Sequence, residues 1–291
     1  MKKEKSIKNE KLQIALIILC TLIFIGCAIW LILYLVDAGK GAKQADSLKA
    51  EYIMVEGEPV DGEVSQPGEP IDTEEPKDKV IIDGREYDDF AELDVSERKI
   101  DFASMQADVN EDIYAWVYVP GTKVDYPILQ RSGNNDFYLD HDLNGKKASC
   151  GSIYTENYNE KDFNDNHTVV YGHNMKNGSM FKSLRNYDDK DFFEENKYIY
   201  IYTEADTRVY EIFGAYEYTD EHLLLNYKTD NAGGFQKYLD MVKKQPDASG
   251  HFNRELTVNS SDKIITLSTC ISGKDGSRYL VQGKLIAVEA N

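Results

Sequence analysis

The chain opens on a hydrophobic block and then changes pattern twice. Leu12 to Val36 is a run of 25 residues without one charged side chain. As a helix it is ~37 Å long at 1.5 Å per residue, enough to cross a ~30 Å hydrocarbon core with some tilt. Met1–Lys11 before it carries five Lys and two Glu, a side-chain charge of +3, and Trp30 and Tyr34 lie near its far end. The positive-inside tendency assigns residues 1–11 to a short cytoplasmic tail, 12–36 to a single transmembrane helix, and everything after Asp37 to the extracytoplasmic side. The apolar run is longer than the core of a cleaved signal and has no small-residue cleavage site, so the anchor is expected to be retained. Cys20 and Cys27 within it read as inert apolar fillers.

Periodicity is then lost. Glu51 to Lys79 holds ten acidic residues, two Lys and four of the seven prolines. Its few apolar residues follow neither a period of two nor one of 3.6. Such a segment buries too little surface to offset its ordering entropy, so it is expected to be an extended, self-repelling spacer within an acidic, Pro-containing linker over residues 37–79.

From Val80 to Asn291 the pattern turns to β and defines one catalytic-sized domain. Runs rich in Val, Ile, Tyr and Thr predict strands at Tyr114–Val119, Tyr126–Leu129, Gly151–Thr155, Thr168–Tyr171, Tyr198–Thr203, Arg208–Tyr218, Ile264–Thr269 and Tyr279–Val288. Turn residues such as Pro120-Gly121 and Asp275-Gly276 separate them. Helical spacing appears at Asp101–Asn110, Met180–Tyr187, Asp191–Asn196 and Phe235–Val242. Eight short strands with a few interposed helices predict a mainly β domain, a mixed and chiefly antiparallel barrel or sandwich.

Composition narrows the functions open to it. With 33 Lys and Arg against 51 Asp and Glu in 291 residues, the formal net charge is −18. That argues against a nucleic-acid binder, which needs a basic face, and equally against an anionic-lipid-binding surface on the main domain. Four cysteines are too few and too oddly placed for a disulfide scaffold. No Cys-x-x-Cys, His-x-x-x-His, EF-hand or Gly-rich phosphate loop is present, and no metal or cofactor is expected.

Only two cysteines lie beyond the anchor. Cys270 ends an apolar strand where the pattern breaks into Ile-Ser-Gly-Lys-Asp-Gly-Ser, and the next strand opens with Arg278. If those strands are antiparallel neighbours, Cys270 and Arg278 share one rim of the sheet, ~4.8 Å apart across the ladder. Positive charge there favours the reactive thiolate, and the guanidinium can donate to an oxyanion forming on an acyl carbon. A thiol nucleophile also needs a proton donor for its leaving group. Of five histidines, His173 follows the strand Thr168-Val-Val-Tyr-Gly172 at its end. His167 begins that strand at the opposite edge, and His141, His222 and His251 lie in polar loop sequence. His173 is selected provided the two strands end at the same rim. Ser268, of the same parity as Cys270, should face that rim and donate to a bound peptide. Cys150 reads as a buried strand residue, with a regulatory disulfide to Cys270 as the lesser alternative.

At these residues the sequence resembles a family. Thr266-Leu-Ser-Thr-Cys270, followed by Arg278 and Val281-Gln-Gly-Lys-Leu285, is similar to the signature of the sortases, specifically class B. The resemblance runs from about Phe102 to Glu289. It takes in Gly121-Thr-Lys-Val-Asp-Tyr-Pro-Ile128, Asn135-Asp-Phe-Tyr-Leu139, Gly151-Ser-Ile153, Val170-Tyr-Gly-His-Asn-Met175, Gly178-Ser-Met-Phe181 and Asp191-Phe-Phe193. The segment Asn231–Gln245 is similar to the helix that class B enzymes carry before the strand of the catalytic cysteine.

The resemblance implies an eight-stranded β-barrel and a membrane-anchored cysteine transpeptidase of Gram-positive bacteria, a cysteine-peptidase type of hydrolase. It implies Cys270 as nucleophile, His173 as general acid and base, and Arg278 as stabiliser of substrate and oxyanion, with Asn135 and Leu139 lining the motif groove. The reaction implied cleaves a secreted protein's C-terminal sorting motif after Thr through a thioester. It then joins that protein to an amine of a peptidoglycan precursor or cross-bridge. A pilus-polymerising sortase and a catalytically silent, membrane-tethered peptide-binding module are the alternatives.

Overall fold

The computed structural model describes residues 2–55, 80–82, 85–87 and 98–291. Two helices come first, α1 (Lys2–Ala38) and α2 (Lys40–Tyr52), followed by the short strand β1 (Ile53–Val55). A small hairpin, β2 (Val80–Ile82) with β3 (Arg85–Tyr87), precedes β4 (Arg98–Ile100) and α3 (Phe102–Asp108). The Asp101 carboxylate starts α3 by accepting from the Ser104 N–H at 2.9 Å, which satisfies one of the open donors of the first turn.

The main sheet then assembles from β5 (Ile113–Tyr118), β6 (Asp125–Leu129), β7 (Ile153–Thr155), β8 (His167–Tyr171), β9 (Tyr198–Thr203) and β10 (Asp206–Thr219). Between β8 and β9 run a 3₁₀ segment, Phe181–Asp188, and α4 (Lys190–Glu195). After β10 come α5 (Leu223–Tyr227), α6 (Ala232–Lys243), β11 (Gly250–Phe252), β12 (Ile264–Cys270) and β13 (Ser277–Ala290). Neighbour order around the sheet is β10-β13-β12-β8-β7-β6-β5-β9, and β9 pairs back onto β10. Eight strands thus close into a barrel. The ninth strand, β11, is only three residues long and attaches to the far half of β10.

All eight expected strands are present. The pairings are antiparallel except β6–β7 and β8–β12, which are parallel. Several strands read as nearly continuous apolar runs because both faces are covered. Within β12, Ile265 and Leu267 point into the barrel with Val117, Ile128, Val170 and Val281. Ile264 on the opposite face joins Val169, Tyr216 and Leu280 beneath α5 and α6. A third layer packs Trp116, Leu129 and Ile286 under α2 and α3 through Leu48, Phe102 and Met105.

The N-terminal region differs from the expected linker. Inside the linker expected over residues 37–79, ahead of most of the stretch read as extended, Lys40–Tyr52 is a helix docked on the barrel, with Gly41, Ala45 and Leu48 buried. With Ala38, these residues follow a 3-4-3 spacing, one stripe of a helix. The stripe is made mostly of small residues, so it carries little hydropathy and leaves no amphipathic signature. Val55 of β1 pairs with Arg98 of β4. The apolar helix is thus joined to the barrel through α2 and the β1–β4 pair. Residues 56–79 themselves lie outside the described residues. The described helices include one long and apolar enough to cross a membrane, and its side chains between Leu16 and Val36 are largely exposed.

Candidate active site

Strand register decides which chemistry meets. Antiparallel pairing of β12 and β13 runs from Ile264↔Lys284 to Cys270↔Arg278, so the last residue of β12 faces Arg278 directly. Parallel pairing of β12 and β8 runs from Ile264↔His167 to Ser268↔Tyr171, and the Gly172 N–H extends it by donating to the Ser268 carbonyl at 3.1 Å. His173 and Cys270 therefore leave the same rim. The loop Ile271–Ser277 closes the hairpin through Gly273 and Gly276, at φ +77° and +70°, conformations that L side chains adopt only with strain.

These residues line one cavity of about 240 Å³. Cys270, His173, Arg278, Ser268 and Leu139 form one part of the wall, and Tyr154, Tyr171, Glu156 and His222 another. Cys270 is exposed to it, whereas Ser268 is mostly buried. The imidazole Nε2 of His173 lies 2.7 Å from the Leu139 carbonyl oxygen. A carbonyl can only accept, so Nε2 carries the hydrogen in this geometry. The Arg278 guanidinium makes a long 3.4 Å bond to the Ser277 carbonyl, leaving most of its donor fork towards the cavity. Asp136, Asp220 and Glu221 add carboxylates to the rim.

A sequence model of the sortase domain family matches residues 117–286. The chain belongs to the sortase family. Sortase B of Listeria monocytogenes is 39% identical over 180 residues, 61% of this chain and 71% of that protein. Among solved structures, Clostridium perfringens sortase B aligns with a TM-score of 0.56 at 35% identity, covering 64% of this chain and 99% of that one. A Staphylococcus aureus sortase B–substrate complex aligns at 0.55 and 31% identity, covering 64% and 84%. The relatives are class B, as is the domain described above, with its closed eight-stranded barrel and the helix α6 before β12.

Sequence reasoning singled out five of the cavity residues and missed others. Asn135 is not among those lining the cavity. Its carbonyl oxygen accepts from the Asn157 N–H and Nδ2–H at 2.7 and 2.6 Å, and its neighbour Asp136 lines the wall instead. His222, set aside as a loop residue, does reach the cavity. Its Nδ1 accepts from the Leu225 N–H to cap α5, and Nε2 lies 2.8 Å from the Glu156 carboxylate. Nδ1 is thus committed to the helix cap, while Nε2 stands at ion-pair distance from Glu156 without an aligned hydrogen bond. Burial, reinforced by Glu156, pushes the Tyr171 phenol well above its ordinary value, so it is a neutral wall at every physiological pH.

Asn174, directly after His173, donates from Nδ2 to the Cys270 carbonyl at 2.7 Å. The motif Tyr171-Gly-His-Asn174 thereby supplies three residues to the cavity wall and a fourth that holds the Cys270 backbone. Gly172, just before His173, is packed too closely for a side chain, since a Cβ there would sit 2.5 Å from Ile153 and 2.7 Å from Phe181. Cys150 lies in a turn, where a strand was expected, and is wholly buried. Desolvation pushes its thiol pKa up, and both Cys150 and Cys270 are free thiols.

Proposed function

We propose that this sortase is a membrane-anchored cysteine transpeptidase in which Cys270 attacks the carbonyl carbon of a Thr in a C-terminal sorting motif. A carbon–sulfur bond forms, the peptide bond after Thr breaks, and the leaving amine takes its proton from His173. Arg278 donates to the oxyanion of each tetrahedral intermediate. An acceptor amine then attacks the thioester, the carbon–sulfur bond breaks, and the amine's proton returns to His173. Ser268 donates to the bound peptide, Leu139 contacts its side chains, and Asn135 holds the neighbouring Asn157 loop in place.

The carrying observation is the common rim of β8, β12 and β13, which gathers a sulfur, an imidazole and a guanidinium around one cavity. The acceptor is an amine of a peptidoglycan precursor or cross-bridge. Carboxylates at Asp136, Asp220 and Glu221 favour the approach of such a cation. The basic residues 1–11 remain cytoplasmic, α1 spans the bilayer once, and the barrel lies outside the cell.

Mass spectrometry of the full-length protein with a panel of Thr-containing sorting peptides tests this reading. A thioester adduct is expected that ends at Thr, disappears in Cys270→Ala and is discharged by added amine. If no peptide leaves an adduct, the domain is a binding module and the proposed chemistry is abandoned.

A further inference from the structure

The loop that carries His173 is closed at its base and braced from behind. At the base, the Phe181 N–H donates to the His173 carbonyl at 2.9 Å, and Asn174 pairs with Met180 as a single antiparallel bridge. At its tip, the Asn177 carbonyl oxygen accepts from the Ser179 N–H and hydroxyl at 3.0 and 2.7 Å. The remaining donor of Asn177, Nδ2–H, reaches across 139 positions to the backbone carbonyl of Ala38 at 2.9 Å. Ala38 is the last residue of α1, two positions beyond the end of the uncharged apolar run.

Two further contacts converge on the same junction. Met180 is buried at φ +57°, and its N–H donates to the Tyr126 hydroxyl at 3.0 Å. Its thioether covers Gly41 so closely that a Cβ there would stand 2.8 Å from Sδ, and 3.3 Å from the Cys150 sulfur. The Asp37 carboxylate accepts from the Ser149 N–H at 3.0 Å, a bond that holds its pKa below the usual carboxylate value. Ser149 begins the turn that runs into Gly151, which is pressed against the Leu139 carbonyl, the acceptor for His173 Nε2. Both segments that hold the imidazole, its own loop and the Leu139 strap, thus lean on residues 37–41.

We infer that the junction between α1 and α2 is a positioning element of the active site: it fixes the His173 imidazole relative to Cys270. Asn177, Met180 and Gly41 are positioning residues, acting through the loop and touching no substrate. The sequence of the helices makes this coupling stiff. Gly39 stays in the right-handed helical region at φ −87°, and its N–H still bonds to the Leu35 carbonyl, so the apolar helix runs into α2 with little interruption. A misplacement of ~1 Å at a catalytic group costs up to ~10²-fold in rate. The state of the anchoring helix therefore bears directly on turnover.

This inference rests on the role given to His173 above, and its test separates the two. Full-length protein in detergent micelles is compared as wild type, Asn177→Asp and Gly41→Val. Asn177→Asp keeps the acceptor for Ser179 and removes only the donor to Ala38, while Gly41→Val forces Met180 from its seat. Hydrogen exchange without peptide is expected to accelerate about tenfold or more at the Met180 and Phe181 amides, because local opening no longer breaks the brace. The kcat for thioester formation is expected to fall about tenfold with KM within about threefold, the pattern of lost transition-state geometry. Unchanged exchange in both variants overturns the brace. Faster exchange with wild-type kcat overturns its role in positioning. Should the wild type itself form no thioester, exchange still decides the brace, and the chemical reading alone fails.

Discussion

Cys270 and His173 stand at the same level of two parallel strands. The last parallel pair is Ser268 with Tyr171, and Cys270 and His173 each lie two residues beyond it. Two residues is one full pleat, so the sulfur and the imidazole leave the sheet on matching positions. Arg278 completes the set from the other side of Cys270 as its direct antiparallel partner.

That arrangement assigns different losses to the three side chains. Cys270→Ala is expected to abolish thioester formation. His173→Ala should lower kcat by ~10²–10⁴-fold, the range for a lost general acid and base. Arg278→Ala should cost ~10²–10³-fold, as for a lost oxyanion donor. Arg278→Lys should recover little, because a point charge does not replace a planar fork. Thermal midpoints close to wild type, measured alongside single-turnover rates, separate chemistry from folding. Normal turnover in any of the three alanine variants removes that residue from the mechanism.

Gly151 supports the acceptor of the His173 hydrogen bond. It sits at φ +52°, and an added Cβ would lie 2.5 and 2.6 Å from the Leu139 and Tyr138 carbonyl oxygens. Gly151→Ala is therefore expected to cost more than ~1 kcal/mol of stability through backbone strain. It should also displace the Leu139 carbonyl and reduce kcat further than its fall in folded fraction explains. Denaturant melts paired with active-site titration check this. A rate loss that matches the folded fraction would reduce the contact to packing.

His167 gives the barrel an acid-sensitive core. It is fully enclosed, its Nε2 lies 2.8 Å from the Thr266 hydroxyl, and it stacks on Tyr238. Desolvation lowers its pKa from 6.5 to about 3. In that interval the unfolded chain binds a proton that the folded one refuses. Stability is therefore fully present above about pH 6.5, and this group removes up to ~1.4 kcal/mol for each further unit as pH falls towards 3. Urea midpoints measured from pH 7 to pH 4 should decline less steeply in His167→Gln than in wild type. Parallel curves would show that other groups control the acid limb.

Lys284 and Asp262 form an enclosed ion pair at 2.8 Å, with side chains 4% and 2% exposed, and Lys284 also donates to the Thr257 carbonyl at 3.1 Å. The pair ties β13 to the loop that leads into β12. Lys284→Met leaves the carboxylate buried without its partner and is expected to cost about 3–5 kcal/mol. Equilibrium unfolding measures it. Adding Asp262→Asn should recover part of the loss, and a further loss would assign the cost to packing around Lys284.

Much of this was legible along the chain. Runs rich in Val, Ile, Tyr and Thr between turn residues locate all eight barrel strands, because β-branched and aromatic side chains fit a pleated surface. The break after Thr-Cys270 and the break after Gly172 mark the two strand ends where side chains are released from packing. β11 escaped because Gly250-His-Phe252 holds no β-branched residue. The docking of α2 escaped because Ala38, Gly41 and Ala45 bury backbone and neighbouring side chains more than their own apolar surface.

The sequence by itself determined the apolar helix and the strands, since each depends on neighbours within a few positions, and it offered Cys270, His173 and Arg278 as candidates through their strand ends and the family resemblance. Only the tertiary structure decided that β8 lies parallel to β12, that His222 reaches the cavity while Asn135 does not, and that Asn177 meets Ala38. Those relations join residues up to 139 positions apart. They are selected by closure of the barrel and by packing of whole surfaces, quantities that no local pattern contains.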